Sequence, residues 1–138
     1  MFTQNKAIIV GDVMIGLKDA PKTSKRTLLK EALELMDLKK LGIVCIVSDD
    51  GQLEGIITDG DIRRMLTKIQ KPMAALMNDD VINHAIINPT TVNMKTDLVK
   101  AVSKMGVKQI WDLPVVDDDN ILKGLLHLHP AIKSLIEM

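Results

Sequence analysis

The pattern of apolar and polar positions occurs twice along the chain. The stretch IVSDDGQLEGII (Ile46 to Ile57) matches VVDDDNILKGLL (Val115 to Leu126) in the order of its apolar, acidic and glycine positions. The same shift carries Gly55 onto Gly124 without a gap. A single long-period repeat of this kind predicts two copies of one small domain of about 60 residues, rather than a solenoid.

Each copy predicts the element order β-α-β-β-α. In the first copy, KRTLLKEALELMDLKKLG has the apolar stripe of a helix, which Ser24 or Thr27 can begin and Gly42 can end. The run IVCIVSD has no polar alternation, so we expect both of its faces to be covered. DDGQ then predicts a hairpin turn, LEGIIT the returning strand and DIRRMLTKI a second helix. The second copy follows the same order with TDLVKAVSKMGV, DLPVVDD, LKGLLHL and PAIKSLIEM.

The two copies predict an α/β fold with three parts. Residues 1–19 form an N-terminal segment with a short helix, residues 20–70 the first repeat, and residues 71–138 a linker and the second repeat. A repeat of this size has a three-stranded sheet with helices on one face and an apolar opposite face. We therefore expect the repeats to pack sheet to sheet about a pseudo-twofold axis, with two symmetry-related clefts between them.

Composition narrows the function classes. Lys and Arg together number 18, as do Asp and Glu, and this balance argues against a nucleic-acid partner. Phe2 and Trp111 offer no stacking platform for single strands, so Trp111 is assigned to packing and Asp117–Asp119 to a hairpin turn. No apolar run approaches the roughly 20 residues of a membrane helix. The N-terminus has no signal-peptide pattern.

The single cysteine, Cys45, lies inside the apolar run GIVCIV. We predict that it is a small buried hydrophobic residue rather than a nucleophile. No disulfide can form within the chain, which fits a reducing, cytoplasmic compartment.

Two interpretations are open for the stretch TDGDIRR. Thr58 and Asp61 have the spacing of a capping box at the start of a helix. Alternatively, the stretch binds a nucleotide. Gly60 would let a ligand approach the backbone, the free helix amides would bind a phosphate, and Asp61 would accept hydrogen bonds from the vicinal diol of a ribose.

The duplicated pattern, with G-h-h-T-x-x-D at the end of the third strand, resembles a tandem pair of CBS domains, the Bateman module. GIITDGDIRR and GLLHLHPAIKSLI are similar to the C-terminal regulatory region of KpsF/GutQ-type sugar-phosphate isomerases, the arabinose 5-phosphate isomerase family. TDGDIRR also resembles CBS pairs attached to sugar nucleotidyltransferases.

The resemblance implies a regulatory module that binds an adenine or other nucleotide, or a nucleotide-sugar, in the cleft between the repeats. The module would modulate an attached or partner sugar-phosphate isomerase, form a homodimer and require no cofactor. The chain shows no nucleophile–base pair, metal quartet or P-loop lysine, so we do not expect it to be an enzyme itself. The alternative is a dimerisation module without ligand, which would use apolar helix faces such as RRMLTKI.

The resemblance also implies the site residues. It places Thr58 at the phosphate and Asp61 at the ribose of the ligand. The further ligand-binding residues it implies are Ile57, Gly60, Arg63, Lys22, Thr23, Ile43, Val44 and Cys45. Arg63 and Arg64 invite a phosphate interpretation, but we expect at least one of them to be only solvated.

The second repeat departs from this motif, because His127 and Pro130 stand where the first repeat has Thr58 and Asp61. A proline cannot accept a hydrogen bond from ribose, although it suits the first position of a helix. The second cleft is therefore expected to be empty or to hold a different anion or sugar acid. Its candidate residues are His127, His129, Thr91 and Leu113.

The histidines have three open interpretations. On a strand, His127 and His129 would point the same way, and with His84 they could bind a transition metal. They could instead contact a ligand phosphate, or simply line the cleft. We assign no metal site.

Overall fold

The chain divides into two compact units in a computed structural model that describes residues 7–137. Of these residues, the first-repeat unit comprises 19–89, and the second-repeat unit comprises 7–18 together with 90–137. Each unit thus combines one repeat with the segment that precedes the other repeat in the sequence. None of the helices in the described part of the chain has the length and apolar character needed to cross a membrane.

Both repeats have the predicted β-α-β-β-α order. The second-repeat unit begins with α1 (Val10–Val13) and β1 (Ile15–Gly16). The first-repeat unit contains β2 (Lys22–Thr23), α2 (Leu29–Lys39), β3 (Ile43–Val47), β4 (Leu53–Thr58), α3 (Asp59–Lys68), α4 (Met73–Met77), a 3-10 helix (Val81–His84) and β5 (Ile86–Ile87). The second-repeat unit then continues with β6 (Val92–Asn93), α5 (Leu98–Lys108), β7 (Asp112–Val116), β8 (Leu122–His127) and α6 (Leu128–Ile136).

Each unit has a four-stranded sheet, so the prediction of three strands is wrong by one. The strand order is β2-β3-β4-β5 in the first-repeat unit and β1-β8-β7-β6 in the second-repeat unit. The additional strands, β5 and β1, are antiparallel to the second strand of each hairpin. Gly55 of β4 permits this approach, because a Cβ atom there would lie 2.8 Å from the carbonyl oxygen of Ile86.

The core of each unit lies between its sheet and its helices. In α2 the predicted stripe is confirmed by Leu29, Ala32 and Met36, which are buried in the core of the first-repeat unit. Residues 43–46 of β3 are all buried, which confirms that both faces of this strand are covered. Cys45 is among them, as predicted.

The ends of α2 differ from the prediction. The helix is capped at Leu28, whose N–H donates to Glu31 Oε1 at 3.0 Å, and not by Ser24 or Thr27. At its other end Lys40, with φ of 59°, takes the left-handed conformation that usually favours glycine. Glu31, the third residue of α2, therefore provides the cap that was predicted for the hydroxyl of Ser24 or Thr27.

The hairpin turns are confirmed, whereas the packing role of Trp111 is wrong. Gly51 has φ of 86° in the turn between β3 and β4. Asp117 organises the corresponding turn between β7 and β8, because its Oδ1 accepts hydrogen bonds from the N–H groups of Ile121 and Asp119. These bonds hold the pKa of Asp117 below its ordinary value. Trp111 is 71% exposed.

Candidate functional site

The start of α3 carries the two residues on which the sequence motif depends. Thr58 is the last residue of β4 and lies opposite Ile43 of β3. Its N–H donates to Asp61 Oδ2 at 2.9 Å, and the N–H of Asp61 donates to Thr58 Oγ1 at 3.2 Å. The capping-box interpretation of TDGDIRR is therefore confirmed.

The carboxylate of Asp61 is surrounded by donors. The hydroxyl of Thr58 donates to Asp61 Oδ2 at 2.9 Å, so that oxygen accepts two hydrogen bonds from one residue. Arg64 Nη2 donates to the other oxygen, Oδ1, at 2.8 Å. The Asp61 side chain is 13% exposed and the Arg64 side chain 54%. Asp61 is thus a fixed acceptor whose outer oxygen is held by a partly solvated cation.

Gly60 lies beneath the same guanidinium group. A Cβ atom at this position would be 3.2 Å from Arg64 Nη1 and 3.3 Å from Nη2. The approach to the backbone that the sequence assigned to a ligand is therefore covered by Arg64 in this structure. Arg63 is exposed and makes no ion pair with any residue in the range 7–137, as expected for one of the two arginines.

Several residues predicted to bind the ligand have no exposed side chain. The relative exposures of Ile43, Val44, Cys45 and Ile57 are all 0%. These residues can offer a ligand only backbone atoms, and the N–H of Cys45 already donates to the carbonyl oxygen of Pro21 at 2.8 Å.

The two predicted residues of β2 are more accessible. Lys22 is exposed, and Thr23 is half-buried with its hydroxyl in contact with that of Thr27. Together with Thr58, Gly60 and Asp61, they belong to the first-repeat unit.

The equivalent position in the second repeat holds a hydrogen-bonded His–Asp pair that the sequence did not reveal. His127 ends β8 opposite Asp112 of β7, and His127 Nδ1 lies 2.7 Å from Asp112 Oδ1. The Asp112 side chain is only 8% exposed and that of His127 is 30% exposed. The hairpin register was the signal that could have found this pair, because it sets residue 112 opposite residue 127.

Two expectations about the second repeat are wrong. His129 lies in α6 and is exposed, so it does not share a strand face with His127. Pro130 is the third residue of α6 rather than the first. It remains acceptable there, because the N–H groups of the first helical turn have no partner within the helix.

The other two residues assigned to the second cleft have different surroundings. Thr91 is half-buried, and its carbonyl oxygen accepts a hydrogen bond from Lys104 Nζ at 2.9 Å. Leu113 has 0% exposure and belongs to the core of the second-repeat unit, so its side chain is closed to a ligand.

His84 is engaged within the first-repeat unit. Its Nε2 lies 2.8 Å from Asp79 Oδ2, and Lys71 Nζ lies 2.7 Å from Asp79 Oδ1. The hydrogen bonds from Lys71 and then from His84 hold the pKa of Asp79 below its ordinary value. Within residues 7–137, no group of three or more His, Cys, Asp or Glu side chains is arranged to hold a metal ion.

Comparisons with known proteins agree with this architecture. The sequence model of the CBS domain family matches residues 10–68 and 74–129 of this chain. The structure of CBSX2 in complex with AMP superimposes with a TM-score of 0.82, at 26% identity over 94% of this chain and 96% of that one; CBSX2 comes from Arabidopsis thaliana. The CBS domain pair of MJ0100, in complex with 5'-methylthioadenosine and S-adenosyl-L-methionine, gives a TM-score of 0.80 at 21% identity over 96% and 98% of the two chains.

A curated relative supplies the sequence likeness. Arabinose 5-phosphate isomerase KdsD of Escherichia coli is 30% identical over 130 residues, which are 91% of this chain and 37% of that protein. The chain spans 34% to 37% of the length of such relatives. Because the family model matches both repeats, the chain belongs to the CBS domain family and is a tandem CBS pair.

Proposed function

We infer that this chain is a ligand-sensing regulatory module whose nucleotide site is built on the start of α3. Thr58 and the amides of α3 would bind the phosphate, and Asp61 would accept hydrogen bonds from the ribose. The ligand would be an adenine nucleotide, another nucleotide or a nucleotide-sugar. The observation that carries the proposal is the Asp61 carboxylate, which the capping box fixes at the helix start while its Oδ1 is held only by a partly solvated side chain among the described residues.

The comparisons support a nucleotide in particular. The CBSX2 structure contains AMP and shares 26% identity with nearly the whole of this chain. The acidic residue in the first turn of α3 has the chemistry that ribose recognition requires, since a carboxylate can accept hydrogen bonds from two hydroxyl groups. The remaining proposed contacts are Lys22, Thr23 and Gly60 through exposed or half-buried atoms, and the start of β3 through its backbone.

The regulated activity would be that of a sugar-phosphate isomerase, attached to this chain or associated with it. The likeness to KdsD supports this partner, and the chain would contribute no catalytic residue. A ligand can regulate such an enzyme only if it binds two states of the module with different affinity. The alternative partner, a sugar nucleotidyltransferase, would use the same ligand site.

Calorimetric titration tests the binding function. AMP, ADP, ATP, CMP and a UDP-sugar would be titrated into the chain, and we expect one of them to bind saturably with one site per chain. Asp61→Asn should weaken the binding of that ligand, because an amide oxygen lacks the negative charge that strengthens the hydrogen bonds accepted by a carboxylate. Absence of binding by all five ligands up to about 1 mM would contradict the proposal and favour the ligand-free dimerisation module.

We also propose a homodimer. Large apolar side chains remain exposed on α3, at the residue that ends it and on α6, among them Leu66, Ile69, Ile132 and Ile136. Met65 of the stretch RRMLTKI is buried in the core, so Leu66 and Ile69 would supply the contact from α3. Light scattering at a few tens of micromolar, on the order of a weak interface's dissociation constant, should give twice the chain mass, and a monomer at that concentration would count against the dimer.

A further inference from the structure

We propose that Arg64 competes with the ligand for Asp61, so that a ribonucleotide binds by displacing an internal guanidinium group. This inference rests on the proposed nucleotide site and adds a residue that sets its selectivity. In the structure Arg64 holds Asp61 Oδ1 and covers Gly60, which are the two places that the ribose and the phosphate need.

The hydrogen bonds of Asp61 leave one oxygen open to exchange. Oδ2 accepts the N–H and the hydroxyl of Thr58, and both bonds belong to the capping box that starts the helix. Among the described residues, Oδ1 accepts only from Arg64. A carboxylate oxygen offers about two acceptor positions in favourable geometry. A ribose diol must therefore be accepted mainly by Oδ1, where it meets Arg64.

The contact with Arg64 is weak enough to be exchanged. Its side chain is 54% exposed and pairs with Asp61 at the i,i+3 spacing of a helix surface. Such solvated pairs change an equilibrium constant by only about two- to fivefold. Oδ2 keeps its bonds to Thr58 when Arg64 leaves, so the helix start survives the exchange.

The displaced guanidinium then favours phosphorylated ligands. It lies against Gly60 in the first turn of α3, where the free helix amides would receive the phosphate. A nucleotide can replace the lost carboxylate partner of Arg64 with its own phosphate, because arginine binds both groups in the same way. A nucleoside offers no such replacement and bears the full cost of the displacement. Arg64 thereby selects nucleotides over nucleosides.

Titration of adenosine and AMP into wild type, Arg64→Ala and Lys68→Ala tests the inference. Arg64→Ala should bind adenosine about two- to fivefold more tightly than wild type and should show a smaller preference for AMP over adenosine. Lys68→Ala is the matched control, since it removes a positive charge from an exposed side chain at the other end of α3, and its adenosine affinity should stay at the wild-type value.

The contact itself can be followed without a ligand. Guanidinium ¹⁵N NMR signals of Arg64 should show restricted rotation in wild type, free rotation in Asp61→Asn, and free rotation of the wild-type signal once adenosine saturates the site. An Arg64→Ala protein that binds adenosine no better than wild type, or an Arg64 that rotates freely in the ligand-free protein, would overturn the inference alone. If no form binds adenosine, AMP or any of the other four ligands of the calorimetric screen, the nucleotide site itself is refuted and the inference falls with it.

Discussion

The starts of α3 and α6 share one backbone arrangement and differ in their polar side chains. The N–H of Asp59 donates to the carbonyl oxygen of Gly42 at 3.0 Å, and the N–H of Leu128 donates to that of Trp111 at 2.9 Å. In the first repeat the carboxylate is in the helix, where Asp61 caps its own N-terminus. In the second it is in the strand, where Asp112 pairs with a histidine. The repeats therefore keep the hairpin register while each places its carboxylate on a different element.

The residues around the two helix starts differ in size as well. The first repeat has glycine at positions 42 and 60, and the second has Trp111 and His129 at the equivalent positions, both exposed. The glycines add no side chain of their own to the first helix start, where Arg64 lies over Gly60 and Asp59 lies against Gly42, whereas the second repeat carries an indole and an imidazole at these positions. A ligand that recognises the first start by its acidic acceptor would not find that acceptor at Pro130 in the second. We therefore expect the two repeats to differ in binding, and the predictions below test this comparison.

The largest effect is expected from Asp61→Ala. Loss of a charged acceptor for the ribose should weaken nucleotide binding about 10- to 150-fold, which corresponds to roughly 1.5–3 kcal/mol. The fold should lose only about 0.5–2 kcal/mol, the cost of a helix cap. Calorimetry measures the first quantity and urea unfolding the second.

Glu31→Ala provides the matched control for Asp61→Ala. Glu31 accepts the N–H of Leu28 at 3.0 Å in the same reciprocal arrangement at the start of α2, without a proposed role in binding. It should destabilise the fold to a similar degree and leave nucleotide affinity unchanged. A protein in which Asp61→Ala unfolds more easily but binds normally would show that Asp61 serves the capping box alone.

The next effect is a gain of binding in the second repeat. The changes Asp112→Ile, His127→Thr and Pro130→Asp install the residues of the first repeat at 43, 58 and 61. The stoichiometry of nucleotide binding should rise from one toward two per chain. Asp112 is included because its side chain is 8% exposed and would otherwise lose its histidine partner. Two equivalent sites in the wild-type protein would refute the comparison between the repeats.

The sequence predicted the elements whose pattern is periodic. The helical stripe of Leu29, Ala32 and Met36 and the doubly covered β3 follow from spacing alone. The fourth strands, β1 and β5, could not be predicted in this way, because strands of two residues have no alternation to detect. The sequence prediction placed β1 in the separate N-terminal segment and β5 in the linker and second repeat, so only tertiary pairing reveals the sheet that each strand completes.

The site was predicted less completely than the fold. Thr58 and Asp61 were found because a capping box has a local spacing. Arg64 was given no more weight than Arg63, although its i,i+3 spacing from Asp61 favours a contact on one helix face. Asp112 was missed because its partner, His127, lies across a hairpin, and the pairing depends on the register of two strands.

The His127–Asp112 pair of the second repeat should contribute measurably to the stability of the fold. His127→Ala leaves the nearly buried carboxylate of Asp112 without its imidazole partner, and we expect a loss of about 1–3 kcal/mol in the free energy of unfolding. The double change Asp112→Ile with His127→Thr, which copies the first repeat, should cost less than His127→Ala alone. Urea unfolding of the wild type, His127→Ala and the double variant checks this order, and a double change that costs as much as His127→Ala or more would mean that the two side chains are not coupled.

The smallest effect concerns the side chain of Asp79, which pairs with Lys71 and His84 in the first-repeat unit. The apolar residue Ile8 stands at the equivalent place in the second-repeat unit. The N–H of Leu29 donates to the carbonyl oxygen of Asp79, and at the equivalent place the N–H of Leu98 donates to that of Ile8, each at 2.8 Å. The backbone bond is thus kept, but an ionisable side chain is present in one unit and an apolar one in the other. Any acid sensitivity that arises from this position should belong to the first-repeat unit.

The sign of that sensitivity follows from the lowered pKa of Asp79. Lys71 and His84 stabilise its ionised form in the folded state, so its contribution to stability is complete above the ordinary aspartate pKa of 3.8 and is lost as the pH falls through the lower folded-state pKa. Urea unfolding from about pH 5 to about pH 2.5 should therefore show a stability difference between wild type and Asp79→Asn that is constant at first and shrinks below pH 3.8. Lys123, whose Nζ lies 3.7 Å from Asp117 in the second-repeat unit, offers the control: Lys123→Gln should leave the Asp79 difference unchanged. A difference between wild type and Asp79→Asn that persists to the lowest pH would show that the ionised carboxylate of Asp79 does not stabilise the fold.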